Sequence, residues 1–144
     1  MTTRRACGAR GAAVSPPRSP PACTNAGYHC ELAGGGHYSE AALRAKLDAL
    51  IPRLRPGDTI TLNVLYLNAH QWGFQYPLAV ALRKQGYPID GLCVAAGVPS
   101  ADTANDIIAN LQAAGFRHVA FKPGSVEGYR TAPCQQLAGF TTAG

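Results

Sequence analysis

Two polar side chains stand where an apolar neighbour would be ordinary. Asn63 lies inside "TITLNVLYL", residues 59–67, whose other interior polar groups are threonines. A buried amide has to be hydrogen-bonded, so Asn63 either bonds a neighbouring loop or reads the edge of a heterocycle. Lys122 ends "RHVAFK", residues 117–122. Its ammonium either reaches out to water along the aliphatic stem or faces the anion or electron-rich ring of a ligand. His37 and His70 stand in short polar loops and have the right chemistry for acid–base work near neutral pH, although a loop histidine is ordinarily just solvated. The glycine triplet of "NAGYHCELAGGGHYSEAALRAKL", residues 25–47, precedes a helix-like stretch. Exposed N–H groups at such a turn can hold an anion, but the stretch is neither GxGxxG nor a P-loop. The four histidines and five cysteines show no metal-ligand spacing. Cys30 and His37 come nearest to a pair, and no metal site is expected. With no GxSxG elbow, no HExxH and no close pair of carboxylates, no catalytic constellation is predicted.

These groups need elements to position them. Ser39 is an N-cap ahead of a helix from Glu40 to about Ile51, with Leu43, Leu47, Leu50 and Leu54 on one face and Glu40–Arg44 and Arg44–Asp48 as outer i,i+4 pairs. Residues 59–67 read as a buried strand. A helix is predicted from about Phe74 to Gln85, with Pro77 in its first turn and Gly86 closing it. "GLCVAA", residues 91–96, is the next strand. Ser100 or Asp102 then caps a helix through about Ala114, and "RHVAFK" is a further strand. "YHCELAG" before the glycines makes a fourth, and "PGSVEGYR" reads as the start of a helix capped by Ser125. Strands alternating with helices at this interval imply a parallel α/β sheet with right-handed crossovers. The candidates are a doubly wound sheet and part of a (β/α)8 barrel, since a whole barrel takes roughly 250 residues. In either, a ligand sits at the carboxyl ends of the strands. Those ends are "AGGGHY", "LNAHQW", "AAGVPS" and "KPGS". Their small residues let a flat or phosphorylated ligand approach the backbone, although any βα loop uses glycine and proline to turn.

Composition narrows the function classes. The net charge of +5 comes mostly from Arg4, Arg5, Arg10 and Arg18, because all eight acids lie after residue 30 beside the other nine basic residues. A near-neutral body lacks the broad basic face of a nucleic-acid binder, so no nucleic-acid partner is expected. No apolar run is long enough for a transmembrane helix, so no membrane is expected either. Residues 1–23 form an Ala/Arg/Pro-rich stretch without periodicity, read as a disordered basic tail, and residues 131–144 are similarly patternless. Cys30 and Cys93 sit in apolar runs as buried fillers. The odd, scattered cysteines fit a reduced, cytoplasmic setting.

The segments "NAGYHCELAGGGHYSE", "TLNVLYLNAHQWGFQYPL", "GLCVAAGVPSADTANDII" and "RHVAFKPGSVEGYR" resemble, in order and spacing, the enoyl reductase domain of the fungal-type I fatty acid synthase β subunit. More distantly, "TLNVLYLNA", "AAGVPS" and "KPGS" are similar to the bacterial FMN-dependent enoyl reductases and nitronate monooxygenases. The resemblance covers residues 24–130 and implies a partial FMN-binding (β/α)8 barrel of about four strands. It implies that NADPH reduces FMN and that the flavin passes hydride to a trans-2-enoyl chain on acyl carrier protein, within a multienzyme synthase. Carried over by position, Asn63 would lie beside the flavin ring, Gly97 would let the backbone approach it, and Lys122 would sit near its polar edge. Gly34 and Gly35 would be strand-end glycines at the flavin face, making the triplet a close-approach turn rather than a phosphate cradle. The family's loops for its proposed catalytic histidine and for the FMN phosphate have no match here, so no catalytic residue is assigned. The alternative is a non-catalytic truncated half-barrel with at most weak flavin binding.

Overall fold

A computed structural model describes Ala6–Cys7 and residues 19–125. The elements in chain order are β1 (Ala6–Cys7), α1 (Ser19–Asn25), β2 (His29–Ala33), α2 (Glu40–Leu50) with a 3-10 turn over Ile51–Arg53, β3 (Ile60–Leu65), α3 (Ala69–Lys84), β4 (Ile89–Ala95), α4 (Ala101–Ala113) and β5 (His118–Lys122). All strands are parallel, and their order in the sheet, β1-β2-β3-β4-β5, is their order in the chain. A doubly wound sheet reverses order at a switch point. This one never does, which removes that alternative and leaves a barrel-type run. Each right-handed crossover then places its helix on the same side.

The sequence explains most of the local structure. The Ser39 hydroxyl accepts from the Ala42 N–H at 3.2 Å and starts α2. Leu43, Leu47 and Leu50 of that helix are buried, and Glu40–Arg44 pair at 3.6 Å on the outside. Ser100 caps α4 in the same way, by accepting from the Thr103 N–H. The expected helix near residue 74 starts earlier. Asn68 accepts from the Gln71 N–H at 3.1 Å, so α3 begins at Ala69 and Pro77 lies in its interior. The side chain of Pro77 is exposed, and Gly73 one turn earlier leaves room for the ring. The boundary expected at residue 24 falls inside α1, whose two prolines occupy its first turn. The helix expected after Ser125 lies outside the described residues.

The two faces of the sheet differ. Toward the helices point Leu32, Ile60, Leu62, Val64, Leu92, Val94, Val119 and Phe121, packed with the apolar residues of α2, α3 and α4 into one core. Alternation sends the opposite set inward: His29 and Glu31 of β2, Thr61 and Asn63 of β3, Cys93 of β4, His118 and Lys122 of β5. The rings of His29 and His118 meet with centroids 5.4 Å apart although two strands lie between theirs. Three strand spacings span ~14 Å in a flat sheet. The inner face is therefore concave, as a barrel arc requires.

Candidate functional site

The carboxyl ends of the strands form one side of the molecule. A shallow cleft of about 620 Å³ opens there, lined by Leu65, Leu67, Asn68, Ala69, His70 and Ala96. Leu67 is 79 % exposed. Ala96 has φ +58, the one non-glycine residue in the left-handed region among those described. A side chain held in that region stores backbone strain, and such strain concentrates at binding sites.

Three of the five expected site residues come together at the end of β2 and the middle of β3. The Gly34 N–H donates to the Asn63 carbonyl at 2.7 Å, and a Cβ at Gly34 would lie 2.5 Å from that oxygen. A Cβ at Gly35 would lie 3.3 Å from Leu65 Cδ1. The glycines are thus required by the approach of β3 itself. Since the Gly34 N–H is already used, that N–H is not offered to an anion. The Asn63 side chain points inward, is nearly buried, and donates through Nδ2 to Glu31 Oε1 and, at 3.8 Å, to Cys93 Sγ. Gly97 lies in the next loop, where a Cβ would come 2.9 Å from the Tyr66 ring. Lys122, beside Ala95 in the ladder, is exposed at the end of β5, and its charge reaches Cys93 on the same face.

The hold on the glycine turn comes from residues outside the expected set. Gln71 and Gln75, one turn apart on α3, are both buried. Gln75 Nε2 donates to the Gly34 carbonyl at 2.8 Å and the His37 carbonyl at 3.1 Å. Gln71 Nε2 donates to the Gly35 carbonyl at 3.0 Å and the His37 carbonyl at 3.3 Å. Their signal is two glutamines at i and i+4 in "AHQWGFQ", which form one face only when the helix starts at Ala69. Glu31, the acid inside the strand "HCELA", escapes sequence reasoning for a similar reason: its partner Asn63 lies on the next strand.

Electrostatics make the inner face quiet. Burial pushes the Cys93 thiol up to about 12, with Glu31 adding to the effect and Lys122 opposing it. This thiol is a packing group and no nucleophile at neutral pH. Burial and the neighbouring Lys46 charge hold His37 below the usual histidine range, so its imidazole is neutral. Its Nδ1 is buried without a hydrogen-bond partner. His70 is exposed, with Nε2 3.2 Å from the Tyr38 carbonyl. Among the described residues no three metal-binding side chains converge, and no helix is long and apolar enough to cross a membrane.

No family model matches the chain. Curated proteins do. The chain is 48% identical over 103 residues to fatty acid synthase 2 of Mycosarcoma maydis. It is 47% identical over 103 residues to the fatty acid synthase β subunit aflB of Emericella nidulans, and 43% over 108 residues to fatty acid synthase subunit β of Saccharomyces cerevisiae. These alignments cover 72% to 74% of this chain but 3% to 5% of the relatives, so the chain corresponds to a short segment of much longer proteins. Over about three-quarters of its length, this chain is a homologue of a segment of fungal fatty acid synthase β subunits.

Proposed function

We propose that the chain represents part of the enoyl reductase unit of such a synthase, acting in fatty acid biosynthesis in the cytoplasm with FMN and NADPH. Its partners in this reading are an enoyl chain carried on acyl carrier protein and the remaining parts of the multienzyme. The observation that carries the reading is the inner face: a parallel arc with Glu31, Asn63 and Lys122 on it, next to an open cleft at the carboxyl strand ends lined by Leu65 and Ala96 among others. Ligands of parallel α/β folds bind at those ends.

The residues present suit the ring of a flavin better than its phosphate. Leu65, Ala95 and Ala96 offer a small apolar floor, Asn63 an amide, and Lys122 a cation at the rim. The Gly34 N–H is committed to the Asn63 carbonyl, so that donor is not available to a phosphate. Bound on this floor, FMN would supply hydride transfer from NADPH to the β-carbon of the enoyl thioester. The chain's own contribution is positional. Glu31 holds the Asn63 amide, the Gly34 N–H holds the Asn63 carbonyl while Gln75 holds the Gly34 carbonyl, and Lys122 places positive charge where the ring's polar edge would lie. The catalytic proton donor is not assigned to any residue of this chain.

Titrating FMN against the protein while following flavin fluorescence tests the proposal. Saturable quenching that weakens at least tenfold in both Asn63→Ala and Lys122→Ala supports it. Absence of quenching at high micromolar FMN overturns flavin binding by this chain and leaves the non-catalytic half-barrel reading.

A further inference from the structure

The sheet ends at β5, and among the described residues no further strand pairs with it. At the other end β2 carries only the two-residue β1, opposite His29 and Cys30, so no described strand pairs with Glu31, Leu32 or Ala33 on that side. An unpaired strand edge accepts another strand. Which strand fits is set by the stagger of the arc.

Ladder partners run from Glu31 through Thr61 and Gly91 to His118 across β2, β3, β4 and β5. Yet the ring that His118 meets across the concave face belongs to His29, two residues before Glu31. Over three strands, then, level positions fall about two residues behind the ladder row. A closed barrel of eight strands and shear 8 falls behind by one residue per strand, three in all, and His29 is an inward-facing position next to that value. The arc is curved and staggered like four consecutive strands of such a barrel. A two-fold axis along the barrel closes eight strands from two copies, with β5 of each running parallel to β2 of the other.

The same stagger fixes the register at the two seams. Four strands on from Glu31, the ladder row returns to β2 four residues earlier. His118 thus meets Gly27 of the second copy, and Lys122 meets Glu31 of the second copy. Both side chains of the latter pair point inward, and their charges are opposite. Opposite charges directly beside each other in a ladder favour the pairing. Lys122 is exposed and makes no ion pair among the described residues. Glu31 is half-buried and accepts from Asn63 Nδ2, and a carboxylate accepts from several donors at once. On the outer face this register sets Tyr28, 44% exposed at the edge of β2, beside Val119 of the second copy. The seam therefore covers an exposed aromatic ring as well as pairing two charges.

We infer that two copies of this chain form a two-fold dimer that closes an eight-stranded parallel barrel, with Lys122 of each copy paired to Glu31 of the other. At the edge of β2, closure replaces the two-residue β1 by the five-residue β5 of the second copy. The candidate site then lies in a mouth to which both copies contribute strand ends. The inference does not rest on flavin binding.

The test is sedimentation velocity of the intact chain from low to high micromolar concentration, with far-UV circular dichroism confirming that each variant is folded. A monomer–dimer equilibrium is expected. Lys122→Glu sets two carboxylates against each other at both seams and should weaken the dimer about tenfold. Glu31→Lys should do the same with two ammonium groups. An equimolar mixture of the two variants should recover the parent affinity, because the mixed dimer carries one carboxylate and one ammonium at each seam. A dimer that Lys122→Glu leaves unchanged, or that mixing does not restore, uses another surface and overturns the inference. So does a chain that stays monomeric at high micromolar concentration, whose strand edges a different partner must cover.

Discussion

The two faces of the central strands are built on different rules. On β3, Ile60, Leu62 and Val64 point to the helices and are fully buried, whereas Thr61 and Asn63 point into the concave face. The first set is held by apolar area removed from water, which needs no particular partner. The second is held by specific donors and acceptors, each supplied by another strand. A mistake on the helix face costs volume. A mistake on the inner face costs an unpaired polar group, and with it the shape of the candidate site.

The largest expected effect is on the helix face. Leu62→Ala removes a fully buried side chain from the central strand and should cost about 2–5 kcal/mol in urea unfolding. Replacement at the inner turn should cost less but act more locally. Gly34→Ala would drive a Cβ against the Asn63 carbonyl and Gln75, at about 1–3 kcal/mol by the usual scale of overpacking. Amide exchange should quicken at Gly34, whose N–H bond to Asn63 it disturbs. A double-mutant cycle of Asn63→Ala and Glu31→Ala should give a coupling of about 0.5–3 kcal/mol; a value near zero would mean that the amide does not depend on its carboxylate partner.

The smallest effect is on pH dependence. His37 is held below the usual 6.5, first by burial and then by Lys46. The folded state thus prefers the neutral ring. Stability that is complete above pH 6.5 falls as the pH drops from there through the lowered value. The urea midpoint should decline more steeply between pH 7 and 5 in the parent than in His37→Gln. Equal slopes would remove His37 from the acid sensitivity of the inner face.

The helix face is largely legible in the residues alone. Leucines at helical spacing and serine caps locate α2 and α4 almost to the residue, and β-branched runs locate β3. The start of α3 is not legible, because Asn68 caps it from within what reads as a strand-end loop, and Pro77 looks like a first-turn residue until the cap is known. That single displacement hides the Gln71–Gln75 pair and with it the clamp on the glycine turn. Asn63 is visible as an anomaly in its strand, but its hydrogen-bond partner is not. Glu31 is 32 residues away, and no local pattern links the two.

Local sequence settles which segments become strands and helices and which face of each is apolar, because those properties depend on neighbours one to four residues away. It also carries the kinship of the chain's middle with fungal fatty acid synthase β subunits. The order of the strands, and with it a barrel-type arc over a doubly wound sheet, comes from long-range packing. So does the fact that strand-end glycines make room for a neighbouring strand, and that two histidines without metal-site spacing stand face to edge. Each of those facts is a distance between residues far apart in the chain. Such distances are set by how strands align and curve, which no local periodicity encodes.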